Sequence, residues 1–132
     1  VTNEELRELF AAARNIAVVG LSPDPARPSH QIASYLQRRG YRIFPVNPRA
    51  TEVLGESAYA RLEEIPEKID IVDVFRRSEE VPAIADSAIA IGARCLWLQV
   101  GVEHAEAEAK ARAAGLQVIS NACIMVVHRM LV

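Results

Sequence analysis

Two short segments carry residue types suited to holding phosphate. Gly20 ends an apolar run, Ile16-Ala17-Val18-Val19, and opens into Leu21-Ser22-Pro23-Asp24-Pro25-Ala26-Arg27-Pro28-Ser29. Roughly one βαβ unit later, Ile43-Phe44-Pro45-Val46 runs into Asn47-Pro48-Arg49. A buried strand, a glycine turn and a helix start is where α/β sheets receive phosphorylated nucleotides, because the first N–H groups of a helix are unpaired and its dipole favours an anion. Gly20 lets the backbone turn tightly and approach a phosphate. Pro23, Pro25 and Pro28 stiffen the loop, Arg27 makes it positive, and the N–H groups around Ser29 and His30 would complete a pyrophosphate cradle. The plainer reading is a strand-to-helix connection whose serine only caps a helix. The second and third glycines of GxGxxG are missing, so a dinucleotide fingerprint fails. An NAD site also expects an acid at the end of the second strand. Asn47, Pro48 and Arg49 stand there instead, and a guanidinium pairs a phosphate on the ribose bidentately.

Ligands of open α/β sheets bind beyond the carboxyl ends of the strands. The remaining ends carry Phe75-Arg76-Arg77, then Gln99 with Gly101-Val102, then Asn121. Phe75 offers a surface for adenine and Arg76 a phosphate contact, while Arg77 reads as surface charge. Gln99 and Gly101 would shape the mouth beside the first strand. His30, His104 and His128 are dispersed without metal spacing and read as solvated or helix-capping groups. Cys123 reads as a buried structural thiol that could face the ligand. Ser22 lacks the GxSxG elbow, and no acid, base and nucleophile converge.

These residues need elements to hold them. Thr2-Asn3-Glu4-Glu5 reads as a capping box for a helix that turns Leu6, Leu9, Phe10 and Ala13 inward. Strands are expected at 16–19, 41–46, 69–75, 95–100 and 116–119. Helices are expected from Ser29 to Arg39, at Ser57–Glu63, along the stripe of Val81, Ile84, Ala85, Ala88 and Ile91, at Glu103–Ala114 and at Cys123–Leu131. The continuous apolar strands suit burial on both faces. Strict alternation with helices predicts one domain, residues 1–132: a Rossmann-like α/β three-layer sandwich with a five-stranded parallel sheet and right-handed crossovers. The expected order is 3-2-1-4-5, with the topological switch beside the fourth strand.

Composition narrows the field further. In 132 residues, 51% are hydrophobic and 5% aromatic, which gives one aliphatic core. A formal charge of −2 leaves no basic surplus for nucleic acid. No apolar stretch approaches the roughly 20 residues of a membrane helix, and no charged-then-apolar leader is visible. Two cysteines without CxxC spacing fit a reducing compartment, so the cytoplasm is expected. Three readings stay open on the residues alone: a nucleotide-type binding module, a fragment of an NADP-dependent oxidoreductase, and an interaction protein with a vestigial nucleotide pocket. A homo-oligomer or an unidentified protein partner also stays open.

Several motifs in order resemble a known group. Ile16–Ser22, Arg27-Pro28-Ser29, Tyr41–Pro48, Asp70–Arg77, Ala90–Ala93, Leu96–Val102 and Asn121-Ala122-Cys123 look like the small bacterial CoA-binding domain proteins. These are similar in fold to the CoA-binding domain of the succinyl-CoA synthetase α subunit. The resemblance implies coenzyme A (CoA) or an acyl-CoA lying across the strand ends. Gly20, Leu21 and Ser22 would line the pyrophosphate, with Arg27 nearby and Pro28 and Ser29 in the same motif. Val46, Asn47, Pro48 and Arg49 would hold the adenosine 3′-phosphate end, and Phe75 and Arg76 would flank adenine. Gln99, Gly101 and Val102 would border the pantetheine, with Asn121 beside them. The synthetase keeps its phosphorylated histidine in a second domain, and none of His30, His104 or His128 has the setting to replace it. The implied protein is a stand-alone CoA binder without evident catalysis.

Overall fold

A computed structural model describes residues 1–132. Five parallel strands, β1 (Asn15–Val19), β2 (Arg42–Val46), β5 (Ile71–Val74), β6 (Cys95–Leu98) and β7 (Gln117–Ile119), form the sheet. A small antiparallel hairpin, β3 (Glu52–Val53) with β4 (Glu56–Ser57), lies apart. Alternate residues of each strand face opposite layers. Ile16 and Val18 of β1 join the core beneath α1 (Asn3–Ala12), α2 (Pro28–Arg38) and α5 (Ile124–Leu131). Ala17 and Val19 join the core beneath α3 (Val81–Ala90) and α4 (Ala105–Ala113). The three-layer α/β sandwich expected from the sequence is therefore present.

The strand order is β2-β1-β5-β6-β7. Counting only the long strands this is 2-1-3-4-5, which corrects the expected 3-2-1-4-5. Pro45 supplies the physical reason. It sits within β2 opposite Val18 and has no N–H, and proline is tolerated in a sheet where its missing donor faces an edge. A third long strand could not pair there. Tyr59 takes the place, donating its N–H to the Pro45 carbonyl (2.9 Å) and accepting from Asn47 (2.9 Å). The next long strand instead crosses over β1 and pairs with its free side, Ile16 opposite Ile71 through Val19 opposite Val74. Asp70 anchors the start of that pairing, accepting from the N–H groups of Arg14 (2.8 Å) and Asn15 (2.9 Å). The chain winds outward from β1 through α2 and in the opposite direction through α3 and α4. The topological switch therefore falls between β1 and β5.

Two local expectations also change. The helix expected at Ser57–Glu63 is replaced by the hairpin and a single 3-10 turn, Leu62–Glu64. Gly55 and Leu54, both at positive φ, turn the chain there, and Glu64 engages the N–H groups of Ala60 and Arg61. His128, expected to be solvated or capping, is only 2% exposed; its Nδ1 lies 2.7 Å from the Tyr35 hydroxyl. Burial lowers its pKa, and the positive charge of Arg39 acts in the same sense. The Thr2–Glu5 capping box forms as read. No helix is long and apolar enough to cross a membrane.

Asp73 is the exception within the sheet. It lies between Val18 and Trp97 in β5, fully buried, and neither carboxyl oxygen has a hydrogen-bond partner. Burial disfavours its charged form and raises its pKa well above the ordinary carboxylate value. The folded protein thus keeps a proton that the unfolded chain releases near about pH 4. Its contribution to stability is complete below that pH and declines as the pH rises through the folded-state value. Asp73→Asn removes this dependence. Its stability relative to the parent, measured by urea unfolding, should improve as the pH rises above about 4; a difference independent of pH would contradict the assignment.

Candidate functional site

Because the switch lies between β1 and β5, the residues after those strands meet. Gly20 follows β1 at φ +87°, with its N–H on the Val46 carbonyl (2.9 Å). A Cβ on Gly20 would stand 2.7 Å from the Phe75 carbonyl oxygen and 2.9 Å from Arg76 Cδ. The close approach that requires glycine is thus made first by the chain itself. Only with the Cβ absent can Phe75 and Arg76 pass over the end of β1.

The loop after Gly20 is wound on its own hydrogen bonds. Ser22 Oγ accepts from Asp24 N–H, and Asp24 Oδ1 from Ala26 N–H, both at 3.0 Å. The helix begins at Pro28 with Arg27 as its N-cap, which corrects the expectation that Ser29 caps it. Ser29 lies inside the first turn, 6% exposed, and its hydroxyl accepts from Ser22 N–H (3.0 Å). That bond closes the loop against α2. His30 N–H returns to the Arg27 carbonyl and is committed, whereas Ser29 N–H has no partner in the protein. Leu21 is fully buried, so only its backbone can face a ligand; its carbonyl accepts from Asn47 Nδ2 (2.9 Å).

Asn47 is a brace between loops. Its Nδ2 holds Leu21, its Oδ1 accepts from Arg49 N–H (2.9 Å), and its own N–H is held by Tyr59. The Arg49 side chain enters no ion pair with any carboxylate. Pro23, Asn47, Pro48, Arg49 and Arg76 enclose a cavity of about 490 Å³ with no hydrophobic side chain beyond the two prolines. Arg76 crosses its margin, with Nη2 and Nε on Glu80 Oε1 at 2.6 and 3.1 Å. Hydrogen bonding from Arg76 holds the Glu80 carboxyl below the ordinary range.

Two further cavities continue along the rim. One, of about 380 Å³, is bounded by Gly20, Ser22, Arg27, Pro28, Ser29 and Phe75. The other, of about 530 Å³, is mostly apolar; Ile32, Phe75, Val100 and Val102 line it together with Gln99 and Cys123. Pro28, Arg76 and Arg77 complete its lining. Gln99 is 5% exposed, and its Oε1 accepts from Ile124 N–H (3.1 Å).

Besides Leu21, three expected site residues stand outside these cavities. Val46 points to the opposite layer, into the core beneath α3. Gly101 N–H is held by Asn121 Oδ1 (2.7 Å), and Asn121, at φ +52°, braces the two last loops. Conversely Arg77, Val100 and Ile32 line the rim without having been assigned there, and Cys123, read as a buried structural thiol that could face the ligand, lines it too. Cys123 is half-buried, not sequestered in the core. Its place at the N-cap of α5 was the available signal.

Residues 14–129 match the family model described as a CoA binding domain, and the chain belongs to that family. It is 43% identical over 124 residues to the uncharacterized protein YneT of Bacillus subtilis (strain 168), covering 94% of this chain and 92% of that one. The solved structure of cell-free ID.343 from Thermus thermophilus superposes with a TM-score of 0.96 at 39% identity, covering all of both chains (100% and 100%). A shorter match, 37% identical over 65 residues, links it to the ADP-forming acetate–CoA ligase II subunit alpha of Pyrococcus furiosus, covering 48% of this chain and 14% of that one.

Gly20→Ala combines a backbone conformation unfavourable to alanine with a collision against main-chain atoms that cannot swing aside. It should cost about 2–4 kcal/mol in urea unfolding. Gly115→Ala, at φ +96° but facing open space, should cost about 1–2 kcal/mol. Equal losses at the two positions would show that the Phe75 contact is not what requires Gly20.

Proposed function

We propose that the chain binds coenzyme A, free or as an acyl thioester, as a binding module without catalysis of its own. The observation that carries this reading is the set of three cavities gathered at one rim. One is polar and holds Arg49 and Arg76, one lies at the loop before α2, and a mostly apolar one borders both through Arg76, Pro28 and Phe75. Coenzyme A has the matching groups: a ribose-borne 3′-phosphate, a pyrophosphate and a long pantetheine arm. Membership of the CoA binding domain family supports the assignment, as does the partial match to an acetate–CoA ligase subunit.

In this reading Arg49 meets the 3′-phosphate, with Arg76 released in part from Glu80 to assist. Asn47 and Pro48 shape that cavity. Gly20, Leu21 and Ser22 line the pyrophosphate position, and Arg27 and the free Ser29 N–H receive it. Phe75 packs against adenine, and Pro28, Gln99 and Val102 line the path of the arm. Gly101 and Asn121 hold the last loop in shape. Two of the three histidines are engaged in the fold, which supports this reading: His104 caps α4 through Nδ1, and His128 is buried against Tyr35.

Titration calorimetry with CoA and dephospho-CoA tests the assignment. Arg49→Ala should remove a charge-assisted contact worth about 1.5–3 kcal/mol. That corresponds to about 10- to 150-fold in Kd for CoA, with dephospho-CoA little affected. Equal weakening of both ligands would remove Arg49 from the 3′-phosphate. Absence of binding by either, together with saturable binding of NADPH, would overturn the reading in favour of an NADP site.

A further inference from the structure

Two groups at the apolar end of the rim have no partner in the protein. Gln99 is 95% buried, and its Oε1 is fixed on the Ile124 N–H at 3.1 Å. An N–H donor can face only the oxygen of an amide, so this bond settles which end of the Gln99 amide turns toward α5. The Nε2 end is directed into the cavity of about 530 Å³, where it donates to no protein atom. It calls for an acceptor from a ligand. The residue preceding Ile124 is Cys123, whose free, half-buried thiol lines the same cavity. The second thiol, Cys95, is fully buried in β6, and burial pushes its pKa far up, with Asp73 acting in the same sense.

We infer that Cys123 forms a reversible mixed disulfide with the thiol end of coenzyme A, guided by a hydrogen bond from Gln99 Nε2 to an amide carbonyl of the pantetheine arm. This rests on the CoA reading above, because that reading sets the direction of the ligand. With its phosphates at the Arg49 and Arg27 loops, the arm runs toward Gln99 and its sulfur toward Cys123. The arm carries amide carbonyls, which match the unengaged Gln99 donor in a mostly apolar wall.

The step is an exchange with a disulfide of coenzyme A. The Cys123 thiol loses its proton to solvent, and its sulfur attacks one sulfur of the ligand disulfide. The Cys123–CoA S–S bond forms as the original S–S bond breaks, and the second CoA leaves as a thiolate. Cys123 is oxidised, the departing sulfur is reduced, and no other electron carrier is needed. The site would then hold the oxidised form of its ligand covalently and the reduced form by equilibrium alone.

Intact-protein mass spectrometry with coenzyme A disulfide as the probe tests this. The expected result is one CoA adduct per chain, mapped to Cys123 and removed by dithiothreitol. It should form about 100-fold faster than the glutathione adduct from glutathione disulfide, because binding positions the reacting sulfurs. Cys123→Ser and Cys123→Ala should form none while still giving saturable calorimetric binding of reduced CoA. An adduct on Cys95, or equal rates with the two disulfides, would overturn the inference. If the parent and both variants bind CoA but no adduct forms, thiol capture falls and the CoA reading stands. If none of them binds CoA, both fall.

Discussion

The meeting of Gly20 with Phe75 is the constraint on which the rim depends. At a topological switch, two neighbouring strands send their chains to opposite faces and open a crevice between their ends. Here those ends are the Val19–Gly20 and Val74–Phe75 junctions, held in register by the β1–β5 ladder. A side chain at Gly20 would drive Phe75 and Arg76 away. Arg76 could then no longer border both the charged and the apolar cavity. The ligand-facing geometry is thus set by main-chain packing within the sheet, and the polar side chains of the loops are added to a crevice already formed.

Much of the polar chemistry at the rim is directed inward. Asn47 joins the loop after β2 to Leu21, Ser29 joins the loop after β1 to α2, and Asn121 joins the loop after β7 to Gly101. Each removes freedom from a segment that would otherwise be ordered only when ligand arrives. A ligand meeting such loops loses less free energy to their ordering. The groups left facing the rim include the Arg27 and Arg49 side chains, the Ser29 N–H, the Gln99 Nε2 and the Cys123 thiol.

The layer architecture was legible because it follows from periodicity, and the continuous apolar strands required cover on both faces. The candidate rim was legible because ligands of such sheets meet the strand ends. The strand order was not recovered, although Pro45 held the information: a proline inside a strand restricts that strand to an edge. The Ser57–Glu63 helix failed because its apolar spacing is also compatible with a hairpin followed by one turn. Side-chain roles were least accessible. Nothing in the local pattern shows that Asn47 and Asn121 engage neighbouring loops, or that Arg77 lines a cavity instead of standing as surface charge. Those distinctions arise from contacts between residues distant in sequence.

Pro45 has one more effect, on association between copies. Exposed sheet borders tend to recruit strands from other molecules. Along the outer side of β2 the proline offers no donor, and the acceptor at the same residue is already engaged by Tyr59. The opposite border, β7, is only three residues long. Growth of the sheet by strand addition is therefore disfavoured at both margins, and any self-assembly of this chain must proceed through its helical layers.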